Sequence, residues 1–237
     1  MRRGIVGSRA RAVDAVLAGR VLVSGAVATK PERLVAASEP IHVTRDRPRF
    51  VSRGGEKLDA ALDAFGVAHS GSRCLDVGSS TGGFTDRLLQ GGARCVVALD
   101  VGRGQLDHSL RTDDSVIVME RTDVRNVSPD DVGVVDLVVV DVSFISLRTV
   151  LPAIVRLASS APIVALVKPQ FEVGRGRVGK GGVVRDAELH REAVESVIAA
   201  AAELGWRCEA ELPSPITGAQ GNREFFILLR RSGEARP

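Results

Sequence analysis

The feature that most constrains the fold of this chain is a stretch in which an apolar strand runs into a loop of small residues. It reads Arg73-Cys74-Leu75-Asp76-Val77-Gly78-Ser79-Ser80-Thr81-Gly82-Gly83-Phe84. The apolar positions favour a strand that is buried on both faces, and a helix is predicted to open at Thr85-Asp86. A strand, a glycine-rich turn and a helix N-terminus bring backbone N–H groups close to part of a nucleotide-like ligand.

Apolar runs and helical patterns alternate over the rest of the chain. The runs lie near residues 73–78, 94–99, 116–120, 135–141, 162–167, 207–213 and 224–230. Helical patterns at 85–90, 147–158 and 186–204 separate several of them. This alternation predicts an α/β fold with a doubly wound, mostly parallel sheet of Rossmann-like type. The last two runs are joined by residues 213–222, which leave no room for a crossover helix, so this pair is predicted to be antiparallel.

Charge is unevenly spread along the 237 residues. Residues 1–57 carry 12 Lys or Arg and 5 Asp or Glu, a net charge of +7, whereas the rest carries 20 and 24, a net charge of −4. This favours a basic module that meets a polyanion, the alternative being a merely solvated basic terminus. No signal peptide or long apolar span is visible, which favours the cytoplasm and no membrane partner. Scattered cysteines and histidines predict no metal site.

The basic segment has the pattern of a small α+β module. Ser8 is predicted to cap a helix over residues 9–18, which Gly19 closes. A hairpin over 21–28 and a last strand at 41–43 follow. The matching signature is Ser8-Arg9-x-Arg11-Ala12, then Ala18-Gly19-Arg20-Val21-x-Val23-x-Gly25, then Lys30-Pro31. These residues resemble the alpha-L RNA-binding fold, the type found in ribosomal protein S-four.

The resemblance implies that residues 1–47 form an RNA-binding module, expected to lack its first helix because little chain precedes Ser8. Residues 48–57 are interpreted as a linker, made flexible by Gly54 and Gly55, and residues 58–237 as a catalytic domain. The module's candidate phosphate contacts are cations, which position a protein without reading sequence. They are Arg9, Arg11, Arg20 and Lys30, joined by Arg53 of the linker.

The loop after the first strand could serve several ligands. A dinucleotide fingerprint needs glycine where Ser80 stands, so a pyrophosphate cradle is disfavoured. Residues 78–82 also satisfy Gly-x-Ser-x-Gly, and Asp141 and His190 follow in the chain order of a hydrolase triad. However, His190 lies in a long amphipathic helical pattern, and no earlier strand supplies an oxyanion loop. A hydrolase is therefore the weaker alternative.

S-adenosyl-L-methionine fits this loop better. Asp76 could face its amino group, and the backbone of the loop could approach its carboxylate. Asp100, at the end of the second run, is placed to accept the ribose hydroxyls, and Asp123 is the candidate for the adenine amino group. Each aspartate alone could be a helix cap or a surface carboxylate. The predicted cofactor-binding residues are Asp76, Gly78, Ser79, Ser80, Thr81, Gly82, Gly83, Phe84, Asp100, Asp123 and Asp141.

Six short motifs follow one another along the chain. They are Gly78-Ser79-Ser80-Thr81-Gly82-Gly83-Phe84-Thr85, Val101-Gly102-x-Gly104-Gln105-Leu106, Asp141-Val142-Ser143-Phe144-Ile145-Ser146, Val167-Lys168-Pro169-Gln170-Phe171-Glu172, Gly181-Gly182-Val183-Val184 and Gly221-Asn222-x-Glu224-Phe225. Over nearly the whole chain this closely resembles the TlyA family of ribosomal RNA 2′-O-methyltransferases, whose catalytic domain is of the FtsJ type. The resemblance implies a Rossmann-like methyltransferase fold and methyl transfer from S-adenosylmethionine to the 2′-oxygen of a cytidine in ribosomal RNA.

The resemblance also implies a catalytic set, because Lys57, Asp141, Lys168 and Glu224 match the Lys-Asp-Lys-Glu residues of that fold. A ribose hydroxyl is a very weak acid, so a neutral lysine is needed to accept its proton. Burial, Lys57 and the cofactor's positive sulfur would all favour the neutral form of Lys168. Asp141 and Glu224 would orient the two lysines. The alternative is an ordinary ion pair of Lys168 and Glu224 at a sheet edge.

Residues 174–182 combine five glycines with Arg175, Arg177 and Lys180, which favours a mobile loop over the RNA backbone, a plain flexible linker being the alternative. Phe144 and Phe171 flank the proposed site and could hold a flipped-out cytidine, or they could be core residues. Shorter members of the family that the chain resembles act on the large ribosomal subunit, so the resemblance, with the short N-terminus and tail, implies the large subunit as partner. A haemolytic, membrane-active protein and a non-catalytic RNA-binding ribosome factor are the alternative functions.

Overall fold

The structure is a computed structural model, and it describes residues 3–36, 38–44, 49–218 and 220–233, with the side chains of Val27 and Arg175 left aside. The chain divides into two compact units, Met1–Arg49 and Phe50–Pro237. The predicted linker at 48–57 begins in residues outside the described part. Its second half is helical, so a linker is not the right description of residues 53–57.

The N-terminal unit contains one helix and a small antiparallel sheet in its described part. The elements are α1 (Arg9–Leu17), β1 (Val21–Val23), β2 (Ala26–Val27) and β3 (Ile41–Val43), with strand order β2-β1-β3. The predicted cap is confirmed, because Ser8 Oγ accepts a hydrogen bond from Arg11 N at 3.2 Å. Gly19 follows the helix with φ of +66°, a conformation that glycine adopts at little cost. The apolar face of α1 packs through Ala15 on Val21 and Val23.

The C-terminal unit alternates strands and helices as the sequence predicts. Its strands are β4 (Arg73–Val77), β5 (Cys95–Leu99), β6 (Val116–Met119), β7 (Leu137–Val140), β8 (Ile163–Val167), β9 (Trp206–Pro213) and β10 (Phe225–Arg231). Its helices are α2 (Arg53–Phe65), α3 (Gly83–Gln90), α4 (His108–Arg111), α5 (Pro129–Val132), α6 (Leu147–Ala158), α7 (Pro169–Glu172) and α8 (Ala187–Glu203).

These strands form one mixed sheet with the order β6-β5-β4-β7-β8-β10-β9. Strands β4 to β8 pair in parallel, and β10 pairs antiparallel with both β8 and β9. The predicted fold class and the antiparallel last pair are therefore confirmed. The insertion of β10 between β8 and β9 was not predicted. It brings the start of β10 beside the end of β8, with Phe225 opposite Val167.

The core lies on both faces of this sheet. Because side chains alternate along a strand, Leu75 and Val77 of β4 face α6 and α8, whereas Cys74 faces α2 and α3. All described side chains of β7 and β8 are buried, as expected for central strands covered on two sides. The parallel strands therefore end together at one edge of the sheet, where the loops after β4, β5, β7 and β8 meet.

Gly54 and Gly55, predicted to make the linker flexible, instead lie in the first turn of α2. A Cβ atom added at Gly83 of α3 would lie 2.9 Å from Gly55 N and 3.1 Å from Gly54 Cα. The absence of side chains at these glycines therefore lets the N-terminal ends of α2 and α3 cross in close contact. The helix therefore begins at Arg53, within the predicted linker, and it carries Lys57 to the edge of the sheet.

Candidate active site

The loop after β4 lies tightly against the ends of the neighbouring strands. Gly78 has φ of +86°, and a Cβ atom there would lie 2.5 Å from the carbonyl oxygen of Asp141. Gly78 N donates to Leu99 O at 2.8 Å, and Ser80 N donates to Asp100 Oδ2 at 2.8 Å. The loop therefore turns without a side chain at its first position and presents backbone to the space above the sheet.

Two cavities open at this edge of the sheet. The first, of about 430 Å³, is lined by Ser52, Arg53, Gly54, Lys57, Gly78, Ser79, Ser80, Thr81, Gly83, Phe84, Asp141, Ser143, Phe144, Lys168, Gln170, Phe171, Gln220 and Glu224. The second, of about 290 Å³, is lined by Val77, Gly78, Ser80, Leu99, Asp100, Val101, Gln105, Asp123, Val124, Asp141, Val142, Ser143, Phe144, Ile145 and Val150. Five residues line both, so the two cavities share a wall and form one continuous site.

The second cavity has the character of a nucleoside pocket. Its walls are largely apolar, and they include the two carboxylates predicted from strand ends, Asp100 and Asp123. Asp100 is held in place by Ser80 N and by Gly102 N, which donates to Oδ1 at 2.6 Å. Hydrogen bonds from Arg125 hold the pKa of Asp123 below its ordinary value. Asp123 therefore stays ionised, and both side chains offer oxygens that can accept hydrogen bonds from hydroxyl or amino groups.

Asp76 is the predicted cofactor residue whose placement differs most from expectation. Its side chain is fully buried and lines neither cavity. Thr85 Oγ1 donates to Asp76 Oδ2 at 2.7 Å, and Oδ1 has no hydrogen-bond partner among the described residues. Burial raises the pKa of Asp76 from 3.8 to about 7, the hydrogen bond from Thr85 opposing this and the charge of Asp141 adding to it. The alternation of β4 explains this, because Asp76 points towards α3.

Gly82 also lines neither cavity. A Cβ atom at this position would overlap the side chain of Leu110. Gly82 therefore supports the loop from behind, while the other predicted loop residues face the cavities.

The four predicted catalytic residues converge in the first cavity. Lys57 Nζ lies 2.5 Å from Glu224 Oε2, and Lys168 Nζ lies 2.5 Å from Asp141 Oδ1. They come from α2, the segment before β10, the end of β8 and the end of β7, so only the folded sheet brings them together. Two lysines and two carboxylates thus form two ion pairs in one partly enclosed site.

The structure adds polar residues that the sequence analysis did not select. Ser143 Oγ accepts a hydrogen bond from Lys168 Nζ at 2.7 Å. Gln170 and Gln220 line the same cavity. Ser143 lies two residues after Asp141, within the motif at residues 141–146, so the sequence did place it near the site. Nothing in that motif showed that its side chain turns towards Lys168.

An aromatic pair stands at the rim of the first cavity. The rings of Phe144 and Phe171 are 5.5 Å apart between centroids. Phe144 is 93% exposed and has φ of +66°, a conformation that costs energy for a residue other than glycine. An exposed, strained aromatic residue beside a polar cavity is not part of the core, which removes the core alternative for Phe144.

The hydrolase alternative fails on geometry. His190 lies on α8, where its Nε2 is 2.9 Å from Val184 O and its ring is 5.6 Å from that of Phe225. It lines neither of the cavities that contain Ser80 and Asp141. The three residues therefore do not form a triad, and Lys168 rather than a histidine faces Asp141.

The predicted RNA contacts of the C-terminal unit are only partly available. Arg53 lines the first cavity, and Lys180 is exposed. Arg177 already has partners within the protein, because it pairs with Glu192 of α8 and its Nε donates to Val173 O at 3.1 Å. The side chain of Arg175 lies outside the described residues. The loop at 174–182 is also not a plain flexible linker, since it contains two short 3-10 turns and is tied by Asn222 Nδ2 to Gly182 O at 2.8 Å.

In the N-terminal unit, the predicted contacts on α1 are accessible. Arg9 and Arg11 are exposed, as is Lys30 beyond the hairpin. Arg20 is half-buried, and its Nε is covered without a hydrogen-bond partner among the described residues. The three exposed cations are therefore better placed for phosphate than Arg20.

Together the fold and the site define a class of protein. A doubly wound sheet carries, at the carboxyl ends of its strands, a nucleoside-sized pocket that continues into a cavity with two lysine–carboxylate pairs. The apolar walls, the paired carboxylates and the backbone cradle at Gly78 fit an adenosyl group with an amino-acid arm. These are the features of an enzyme that transfers a group from a nucleoside cofactor.

Comparison with known proteins agrees with this class and narrows it. The family model of FtsJ-like methyltransferases matches residues 50–231. The chain is 52% identical over 233 residues to the 16S/23S rRNA (cytidine-2′-O)-methyltransferase TlyA of Mycobacterium tuberculosis, covering 97% of this chain and 87% of that protein. It is 39% identical over 226 residues to Hemolysin A of Brachyspira hyodysenteriae, covering 94% of each.

A solved structure supports the same relationship. A haemolysin-named protein from Streptococcus thermophilus superposes with a TM-score of 0.79 at 39% identity, covering 98% of this chain and 86% of that one. The chain therefore belongs to the FtsJ-like methyltransferase family, and the predicted membership of its TlyA branch is confirmed.

The described residues contain neither a membrane-spanning helix nor a metal cluster. None of the helices in this part of the chain is long and apolar enough to cross a bilayer. Over the same residues, no group of three or more histidine, cysteine, aspartate or glutamate side chains is arranged to hold a metal ion.

Proposed function

We propose that this protein transfers a methyl group from S-adenosyl-L-methionine to the ribose 2′-oxygen of a cytidine in ribosomal RNA. The observation that carries the proposal is the convergence of Lys57, Asp141, Lys168 and Glu224 in a cavity that continues into the nucleoside pocket. The 52% identical relative is named for this reaction. S-adenosylmethionine supplies an electrophilic methyl group bound to a positively charged sulfur.

The proposed cofactor-binding residues lie along both cavities. Asp100 would accept the ribose hydroxyls, Asp123 would face the adenine amino group, and the backbone of 78–81 would meet the amino-acid arm. Phe84 and Gly83 also line the first cavity. Asp76 supports the loop from beneath through Thr85, rather than contacting the ligand directly.

The residues of the chain would handle the proton and the alignment. In its neutral form Lys168 accepts the proton of the 2′-hydroxyl, and Asp141 holds the lysine beside the reacting oxygen. Lys57 and Glu224, themselves paired, line the same cavity and keep a second positive charge near Lys168. Most of the acceleration is expected from placing the 2′-oxygen in line with the methyl–sulfur bond.

RNA would enter across the exposed rim. Phe144 and Phe171 provide aromatic surface on which a flipped-out cytosine can stack, and Arg53 and Lys180 lie where phosphates can be met. Residues 1–47 are proposed to be the S-four-type RNA-binding module, with Arg9, Arg11 and Lys30 as its exposed phosphate contacts. A ribosomal substrate implies that the protein acts in the cytoplasm.

The proposal is tested by mapping 2′-O-methyl groups on ribosomal RNA after incubation of subunits and of naked RNA with the protein and labelled S-adenosylmethionine. A new 2′-O-methylcytidine is expected, with the large subunit as the predicted substrate. No methyl transfer to either subunit or to naked RNA would refute the function. The same preparation is expected not to lyse erythrocytes, which tests the haemolytic alternative.

The RNA-binding module is tested by salt dependence. Replacement of Arg9 and Arg11 by glutamine should weaken RNA binding and reduce the slope of log affinity against log salt by about 0.7 to 0.9 for each phosphate that is no longer neutralised. Asp14→Asn on the same helix, which also changes a charge, should not reduce the slope. Equal slopes in all three proteins would leave the module without a role in holding RNA.

A further inference from the structure

The amine of Lys168 has two partners, and both come from the loop that follows β7. Nζ lies 2.5 Å from Asp141 Oδ1 and 2.7 Å from Ser143 Oγ. An ammonium group carries three hydrogens at tetrahedral angles. The hydrogen bond to Ser143 Oγ fixes the direction of one hydrogen, and the ion pair with Asp141, which lacks hydrogen-bond geometry, holds the nitrogen beside the carboxylate without fixing a second direction.

We propose that Ser143 is a positioning residue that fixes the direction in which Lys168 presents its amine to the 2′-oxygen, an inference that rests on the proposed function of Lys168 as base. Asp141 alone would leave the amine free to rotate about the Nζ–Oδ1 contact. The hydroxyl of Ser143 removes this freedom. Ser143 also lines both cavities, so it stands at the boundary between the nucleoside pocket and the catalytic cavity.

The loop that carries Ser143 has anchors other than the lysine. The same loop is tied at its far end to Glu172 of α7: Ser146 Oγ donates to Glu172 Oε2 at 2.6 Å, and Leu147 N donates to Oε1 at 2.7 Å. Glu172 itself is buried. Phe144, between the two anchored points, keeps its unfavourable φ of +66°, which persists only where surrounding contacts hold the backbone. The loop is therefore the fixed partner, and it orients the lysine.

The contact predicts a specific dependence on pH. Ser143 Oγ accepts a hydrogen from the charged amine and so stabilises the ammonium form. Without the hydroxyl, the neutral amine persists to lower pH. The charged side chains that line the same cavity in the described part, Arg53, Lys57, Asp141 and Glu224, are unchanged by this substitution. The acid-side limb of the kcat profile should therefore move to lower pH in Ser143→Ala.

Kinetics gives the first test. In Ser143→Ala, kcat should fall about 10- to 100-fold from misdirection of the base, while KM for RNA and for S-adenosylmethionine changes little. Ser143→Thr, which keeps a hydroxyl, should recover most of the rate. Ser196→Ala is the matched control, because it removes a hydroxyl that donates to Ala193 O on α8. A kcat within twofold of wild type in Ser143→Ala would overturn the proposal, as would a loss confined to KM.

A second measurement needs no activity. Acetic anhydride acylates an amine only in its neutral form, so acetylation of Lys168, followed by peptide mass spectrometry across a pH series, reports the neutral fraction. Its midpoint should move to lower pH in Ser143→Ala and stay in place in Ser196→Ala. An unchanged midpoint would overturn the positioning role. If wild-type protein failed to methylate ribosomal RNA, the proposed function would fall, and this measurement would still decide whether Ser143 controls the amine.

Discussion

The two lysine–carboxylate pairs of the site have the same chemistry and different surroundings. In the pair of Lys57 and Glu224, the side chains are 9% and 3% exposed. In the pair of Lys168 and Asp141, they are 10% and 22% exposed, and Ser143 adds a third partner. Both pairs line the first cavity, but we call the first pair closed because both of its side chains are less than 10% exposed, and the second open because Asp141 also lines the nucleoside pocket.

This difference in burial indicates that the first pair contributes mainly to stability and the second mainly to catalysis. A closed, buried pair is costly to break, because removal of one partner leaves an uncompensated charge in a medium of low dielectric. An open pair can exchange a proton with a ligand at little cost to the fold. We therefore expect substitutions in the first pair to affect stability most and substitutions in the second to affect rate most.

The largest expected effect is the loss of rate in Lys168→Ala. Removal of a general base typically costs about 10²- to 10⁴-fold in rate, while the affinity for S-adenosylmethionine should change little because Asp100 and the 78–81 backbone remain. Single-turnover methyl transfer and calorimetric binding of the cofactor measure the two quantities. Full activity in this variant would remove Lys168 from the role of base.

Breaking the closed pair should lower stability more than breaking the open one. Lys57→Met or Glu224→Leu alone is expected to cost about 3–5 kcal/mol of unfolding free energy, since each leaves a buried charge unpaired. The double variant should regain much of this loss while staying inactive. Denaturant unfolding measures all three. If the single variants were no less stable than Lys168→Ala, the contrast between the pairs would be wrong.

Asp76, buried beneath the site, forms no ion pair among the described residues and should show the opposite dependence on pH from a paired carboxylate. Burial raises its pKa from 3.8 to about 7. Between these values the folded state keeps a proton that the unfolded state has released, so unfolding free energy falls as pH rises through this window and levels off above it. The effect is on the order of a few kcal/mol at most.

Asp76→Asn keeps an acceptor for Thr85 and removes the titration. Its unfolding free energy, measured by denaturation at several pH values between about 4 and 8, should therefore vary less with pH than that of the wild type. Parallel curves for the two proteins would show that Asp76 titrates normally in the fold.

The smallest expected effect comes from the backbone behind the closed pair. A Cβ atom at Gly218 would overlap Glu224 Oε1 and lie 3.1 Å from its Cδ. Gly218→Ala should push the carboxylate away from Lys57 and cost about 1–3 kcal/mol, as overpacking in a closed site does. Gly176→Ala, where an added Cβ meets no atom of the described residues within 4 Å, is the control. Equal stability of the two variants would mean that Glu224 has room to move.

Much of the fold was predictable because it depends on local patterns. The seven strands of the C-terminal unit lie within two residues of the predicted runs, since a strand buried on both faces leaves a continuous apolar segment in the sequence. The cap of α1 by Ser8 was also predictable, because it depends on a hydrogen bond between residues only three positions apart. The start of α2 was not, because Gly54 and Gly55 are poor helix formers whose helical state depends on their contact with Gly83 of α3.

What the sequence determined by itself was the type of site and most of its members. Strands that end in Asp100, Asp141 and Lys168 place these residues at one edge of any parallel sheet, and the motifs around them indicated methyl transfer. Only the tertiary structure decided which lysine meets which carboxylate, that Ser143 is a partner of Lys168, that Asp76 is buried and that Arg177 turns to Glu192. The reason is physical: alternation along a strand and pairing across segments far apart in the chain, such as Lys57 with Glu224, are set by packing of the whole sheet.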